Sequence, residues 1–313
     1  MTAVDATTTP APTYHLPAGA GGAAGYDVQV TPESAGWGYS SLRVLTLEPS
    51  GSHTFSTGRD EVLVMPLAGS ARVEVGDAVL ELQGRPDVFA GPSDFAYVPV
   101  GSSATITSAA GGRFALAGAR TEEVLPFRYG AAAEVPVELR GAGQSSRQVR
   151  NFATPQAFEA GAVIACEVIT PGGNWSSYPA HKHDEASETE SELEEVYYFE
   201  IAPGPAGQPG FGFMRTSSSP GHDIDILAEV HDRDAVLVPY GWHGPCVAAP
   251  GHEMYYLNVM AGPPRSGAGD AGRAWLISDH PDQGWVRGTW ADQEIDRRLT
   301  DPRPSPLPKG PLT

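Results

Sequence analysis

The segment DFAYVPVGSSATITSA (94–109) returns in the second half of the chain as DAVLVPYGWHGPCVAA (234–249). Both read Asp-x-x-x-Val-Pro-x-Gly. A run of four or five apolar residues closed by Pro and Gly is too short for a stable helix and suits a strand ending in a tight turn. A second pair aligns in the same way: RDEVLVMPLAG (59–69) with LEEVYYFEIAP (193–203). A chain that repeats strand–turn units at matched spacing folds as two copies of one β architecture. The rest of the sequence has the same grammar. LRVLTLEP, ARVEVG, AVLELQG, ATITSA and RFALAGA fill the first half; GAVIACEVIT, GFGFMRT and HEMYYLNVMAG fill the second. Gly 37 and Pro 29 supply the turns. TWADQEIDRRL (289–299) is the best short helix.

These patterns predict an all-β chain of two tandem β-sandwich (jelly-roll) domains. The expected divisions are a disordered tail at 1–13, an N-terminal domain at 14–139, a C-terminal domain at 140–298 and a Pro-rich tail at 299–313. The two sandwiches are expected to pack against one another. The net charge of -18 excludes the basic stripe that nucleic acid or an anionic membrane requires. No apolar run reaches the ~20 residues of a spanning helix, and the N-terminus lacks the regions of a secretory signal. Two cysteines, Cys166 and Cys246, suit a reducing cytoplasm.

The chemistry concentrates in HKHDEASETESELEEVYYF, which begins at residue 181. In a strand, residues two apart share a face, so His181 and His183 point together. The acidic loop leaves Glu192, Glu194 and Glu195 as carboxylates within reach. Strand parity with Tyr197 and Phe199, and alignment with Glu61, select Glu195; Glu194 faces the other way and is expected to contribute little. His243 follows the turn VPYGW. Three imidazoles and one carboxylate make a mixed N/O set for one divalent ion such as Zn, Mn, Fe or Ni. Aligning the halves sets His53 against His181, Phe55 against His183, Glu61 against Glu195 and Ser103 against His243. The first half is therefore expected to bind no metal. The acidic loop itself is expected to face water.

The pattern His-x-His, then Glu, then a later His on a Gly-turn strand resembles the cupin metal motif. SSYPAHKHDE…LEEVYYF, GFGFMRT, VLVPYGWHGPCVAAPGHEMYYLNVMAGP, the closing W…DHPDQGW, RGAGQSSRQVRNF and the opening YHLPAG together resemble the bicupin uronate isomerases, the 5-deoxy-glucuronate isomerases of bacterial myo-inositol catabolism. That resemblance spans nearly the whole chain. It implies a bicupin fold and an aldose–ketose isomerisation of 5-deoxy-D-glucuronate to 2-deoxy-5-keto-D-gluconate through an enediol. It also implies a small-molecule uronate as partner, with a homo-oligomer compatible. Tyr197 and Tyr256 are the catalytic candidates, although aromatics at such positions also fill cores. Arg147 and Arg273 are the candidates for the substrate carboxylate, because a guanidinium pairs with a carboxylate in two places. Arg150 and Lys182 are weaker choices, and parity turns Lys182 outward. The competing readings are a bicupin metal-dependent dioxygenase and a non-catalytic sugar-binding cupin.

Overall fold

A computed structural model describes residues 13–23, 25–264 and 273–300. The expected tails fall outside these residues, except for Thr13, Leu299 and Thr300. Strands form three sheets of nine, seven and six strands. The nine-stranded sheet belongs to the N-terminal half and curls around an apolar core that includes Leu45, Phe55, Val64, Ile106 and Phe114. Its long member is Asp60–Val75, which joins two segments expected as separate strands. Register shifts at Pro66–Ala68 and Gly69–Ala71 bend this strand, so its first part pairs with Gly112–Arg120 and its last part with Ser103–Ser108. Gly69 makes the bend feasible. It has φ 86°, and a Cβ there would meet the Gly111 carbonyl at 2.6 Å.

The seven- and six-stranded sheets form the C-terminal sandwich. Its inner sheet runs from His15–Leu16 through Ala235–Val238, Glu194–Ile201, Met254–Ala261, Ile164–Thr170 and Arg147–Ala153 to Val137–Arg140. Its outer sheet contains His222–His231, Phe211–Ser219, Trp242–Ala248, His181–Lys182 and Ser278–Asp279. One face of the inner sheet packs on the outer sheet through Tyr197, Phe199, Met214, Val230 and Tyr256. Its other face, with Val196, Tyr198, Tyr255, Leu257 and Val259, packs on Leu42, Leu63, Met65, Tyr97 and Ala117 of the first half. The strands alternate apolar residues on both faces because both faces are covered.

Polar contacts fix how the halves meet. Glu61 is fully buried and accepts the N–H groups of Gly161, Ala162 and Val163 at 2.7, 2.6 and 2.7 Å. Glu194 does the reverse, accepting from Gly38, Tyr39 and Ser40 at 2.5, 2.8 and 2.9 Å. Arg113 makes a two-pronged contact with Glu200 at 2.8 and 2.6 Å, and Arg85 pairs with Glu167. The chain also crosses between halves. His15–Leu16 pairs with Ala235–Val236, in the C-terminal sheet, whereas Arg128–Gly130 pairs with Phe95–Tyr97 within the N-terminal sheet. The Asp of the repeated motif anchors the added strand in each sheet: Asp234 accepts from His15 Nε2 at 2.9 Å and Ala18 N at 2.8 Å, and Asp94 from Tyr129 Oη at 2.7 Å. The division expected at 139/140 thus falls inside the strand Val137–Arg140, and residues 15–16 pair with the second half.

Ladder registers correct the alignment of the repeats. Val62 lies opposite Val98, and Glu195 lies opposite Val238. Since Val98 and Val238 are the same motif position, Glu61 corresponds to Glu194, and Val62 to Glu195. Likewise Ser56 lies opposite Ser103 as His181 lies opposite His243, and His53 lies opposite Ile106 as Ser176 lies opposite Cys246. The four-residue excursion at 177–180 interrupts the second copy of this strand, and an ungapped comparison slips across it. His53 instead packs edge-on against Tyr26. The helix expected at 289–299 is also corrected. The chain forms a 3-10 run, Gly284–Asp292, then a single turn, Arg297–Thr300. Asp296 breaks the helix between them, because its carboxylate accepts from Asn174 Nδ2 at 3.0 Å and its N–H donates to Ser146 Oγ at 3.0 Å.

Candidate metal centre

Three strands of the C-terminal sandwich aim side chains at one point. His183 follows His181–Lys182, Glu195 lies on the inner sheet, and His243 lies on the outer sheet. Ligand atoms of His183, Glu195 and His243 all fall within 4.8 Å of one another, and all three residues are buried. Glu195 Oε2 is 3.1 Å from both His183 Nε2 and His243 Nε2. Asn258 Nδ2 donates to Glu195 Oε1 at 2.5 Å and holds the carboxylate from behind. His181 lies beside this trio, its ring 4.5 Å from that of His243 and 6.3 Å from that of His183.

The hydrogen bonds behind the rings make the centre suited to a cation. His183 Nδ1 lies 3.0 Å from Leu193 O, and His243 Nδ1 lies 3.0 Å from Gly241 O. A carbonyl oxygen only accepts, so each Nδ1 carries the proton and a neutral ring leaves a bare lone pair on Nε2. Those lone pairs face a carboxylate oxygen, which also only accepts. His243 Nε2 is buried without a hydrogen-bond partner. Facing acceptors repel unless a positive charge lies between them. Burial pushes the pKa of His181 well down, and the neighbouring His243 and His183 lower it further. That keeps its ring in the neutral form that binds metals. A protonated ring can also supply the charge between the acceptors. Burial alone would raise the Glu195 carboxyl, but the His183 and His243 rings beside it outweigh burial and hold it at about 2. Burial alone would lower the pKa of His183, but Glu195 outweighs it and raises it. The donor set fits a divalent ion of borderline softness.

A cavity of about 240 Å³ opens beside the cluster, with Glu195, His181, Tyr197, Tyr256 and Ser177 among its walls. Burial raises the pKa of both tyrosines, Tyr197 further through the charge of Glu195, so both remain protonated at neutral pH. Arg140, Arg147 and Arg287 also line the cavity. Arg140 is held by Glu138 and Arg287 by Asp279. Arg147 has no carboxylate partner among the described residues; it donates to Ser145 O at 2.9 Å and lies 5.3 Å over the Trp290 ring. Burial lowers its pKa to about 10, which leaves it cationic at neutral pH.

Other sequence candidates lie elsewhere. Arg273 lines a separate cavity of about 700 Å³ at the junction of the halves and donates to Phe158 O at 2.8 Å. It is not among the residues that line the cavity of the His–Glu cluster. Arg150 is buried between the halves and donates to Val88 O and Gly91 O, both at 2.7 Å. Lys182 turns away from the cluster, as parity requires, but is buried and not outward. Asp184 at 2.8 Å and Glu190 at 2.7 Å clamp it under the acidic loop. Glu185, Glu188 and Glu192 of that loop are exposed. Sequence reasoning missed Asn258, Ser177, Arg140 and Arg287. Asn258 had a signal: it is the one amide in the apolar run MYYLNVMA, and such a residue in a buried strand needs a partner.

The sequence profile of the KduI/IolB family matches residues 15–286. A 5-deoxy-glucuronate isomerase of Geobacillus kaustophilus is 38% identical over 263 residues, covering 83% of this chain and 90% of the relative. The 5-deoxy-glucuronate isomerase of Bacillus subtilis strain 168 is 33% identical, covering 82% and 91%. Among solved structures, an IolB-like protein from Salmonella typhimurium LT2 superposes with a TM-score of 0.78 at 30% identity, covering 88% of this chain and 99% of that one. An oxalate decarboxylase of Lactobacillus farciminis superposes at 0.55 with 12% identity, over 80% and 82% of the two chains. The decarboxylase shares the bicupin fold alone. Sandwich topology and the closeness of these relatives agree: the chain belongs to the KduI/IolB family.

Proposed function

We propose that the chain is a 5-deoxy-glucuronate isomerase, an aldose–ketose isomerase of inositol catabolism, working in the cavity of the C-terminal half. His181, His183, Glu195 and His243 would hold one divalent ion, with Zn, Mn, Fe and Ni all suited to the set. When bound, the ion supplies Lewis-acid stabilisation of negative charge on substrate oxygens. The observation that carries the reading is the cluster of facing acceptor atoms in a cavity that also holds a buried guanidinium without a carboxylate partner among the described residues. The relatives named as 5-deoxy-glucuronate isomerases cover most of the chain.

The chain's own residues divide the work. Arg147 offers a desolvated cation to the uronate carboxylate, and Arg140 and Arg287 add positive potential that draws an anion inward. Tyr197 and Tyr256, both protonated, donate hydrogen bonds to substrate oxygens whose charge changes during the reaction. Asn258 positions Glu195. The inner-sheet aromatics exclude bulk water, which strengthens each of these contacts. A reducing cytoplasm suits Cys166 and Cys246, both free and buried.

The test is anaerobic turnover of 5-deoxy-glucuronate by metal-loaded protein, with the product identified by NMR. The reading expects the ketose without oxygen. A strict oxygen requirement, or no ketose, would contradict it. Arg147→Met should raise KM by about 10-fold or more through loss of the charged pair, whereas Arg273→Met should leave KM near its starting value.

A further inference from the structure

We infer that Ser177 joins Tyr197 and Tyr256 into one hydroxyl chain along the cavity wall, and that this chain passes a proton between the oxygens on the two carbons of the isomerising unit. Ser177 Oγ is 3.0 Å from Tyr256 Oη and 3.3 Å from Tyr197 Oη. All three residues line the cavity beside Glu195. The two phenol rings are 5.2 Å apart, and the Tyr197 ring is 6.3 Å from that of His243. The serine is thus the link between two groups that both face the reacting end of the cavity.

Its backbone is held for this placement. Ser177 has φ 44°, in the left-handed region that residues with a Cβ disfavour. It begins the excursion that interrupts this strand in the second half. Gly244 packs directly on it: a Cβ at Gly244 would meet the Ser177 carbonyl at 1.8 Å. The first half, without the excursion, carries no equivalent hydroxyl pair, because Leu63 and Val64 follow Val62 where Val196 and Tyr197 follow Glu195.

The inference rests on the isomerase reading and adds a residue to it. An aldose–ketose isomerisation moves one proton between carbons and another between oxygens. The carbonyl oxygen of C1 must gain a proton, and the hydroxyl of C2 must lose one. In the chain, one tyrosine takes the C2 hydroxyl proton while handing its own to Ser177. Ser177 hands its proton to the other tyrosine, which gives its own to the oxygen on C1. Every hydroxyl ends as it began, and no oxidant or reductant enters. A phenol and an alcohol can each donate one hydrogen bond while accepting another, so the chain can pass a proton from one end to the other. Ser177 touches the tyrosines and acts through them; it is a positioning and relay residue.

Two variants separate the relay from strain. Ser177→Ala removes the hydroxyl and keeps the strained backbone; Ser177→Gly removes both. The relay expects equal losses of about 10²-fold in kcat for the two, with KM changed by less than about twofold. It also expects a bowed proton inventory in H2O/D2O mixtures for the wild type and a straight one for Ser177→Ala. Retention of most of kcat in either variant, or losses that differ and follow melting temperature, would overturn it. An activity-independent readout is the tyrosine Cζ signal in 13C NMR, assigned with Tyr197→Phe and Tyr256→Phe. Ser177→Ala should shift both signals; a shift in one or neither would overturn the shared link. Shifts of both signals on Ser177→Ala, with no turnover by the wild type, would uphold the hydroxyl chain and contradict the isomerase reading instead.

Discussion

In the N-terminal half, Glu61 closes three backbone N–H groups of the other half; in the C-terminal half, Glu194 does the same in return. One residue further along each strand the halves part. Val62 is a buried member of an apolar core, and Glu195 faces two imidazoles. The same divergence separates Ser103 from His243 and Ser56 from His181. Successive strand residues face opposite ways. One face of the central strand therefore kept the contacts that join the halves, and the other was free to become chemistry in one copy and plain packing in the other.

The comparison is broken most completely by separating the halves. A chain of residues 137–300 alone would expose Val196, Tyr198, Tyr255, Leu257 and Val259, which now meet the first half. It is expected to aggregate, and a soluble, active fragment on gel filtration would show that the shared core is dispensable. Glu195→Ala comes next: activity should fall by at least about 10²-fold with the fold intact, checked by turnover beside circular dichroism. Glu61→Ala and Glu194→Ala should instead cost stability. Each leaves three N–H groups without their acceptor, at about 1 kcal/mol or more apiece. A loss near 3 kcal/mol in denaturant melts is expected for fully buried Glu61, and somewhat less for half-buried Glu194. This replaces the small effect that its outward parity suggested. His53→Ala should do least: metal content and kcat unchanged, and stability altered by less than about 1 kcal/mol through its edge contact with Tyr26.

Much of the fold was legible because its signals are local. Val-Pro-x-Gly ends a strand in both halves, and parity alone turned His183 and Glu195 one way and Lys182 the other. What escaped was decided by tertiary contact. The identity of the residue matching Glu61 depended on ladder register, and the excursion at 177–180 hid a slip that no ungapped comparison could find. The Asp of the repeat served in sequence only to align the two copies, yet Asp94 and Asp234 anchor strands remote in sequence. The cations of the cavity come from Arg140 and Arg147, paired across one hairpin, and from Arg287, far from it in the chain. Only Arg147 was selected in advance, whereas Arg273 looked equally suitable and went to the junction of the halves. The strand His222–His231 was missed: HDIDILAEVH alternates buried and exposed residues, but its polar face masks the apolar run.

The most direct test of the central claim is metal stoichiometry, measured by elemental analysis on the full chain and on two neighbouring variants, Glu195→Ala and Glu194→Ala. The account predicts one tightly held divalent ion per wild-type chain, near none in Glu195→Ala, and one still in whatever folded Glu194→Ala is recovered. Two ions per chain would contradict the asymmetry between the halves. An ion kept by Glu195→Ala but lost from folded Glu194→Ala would place the chemistry on the opposite face of the strand and contradict the account at its base.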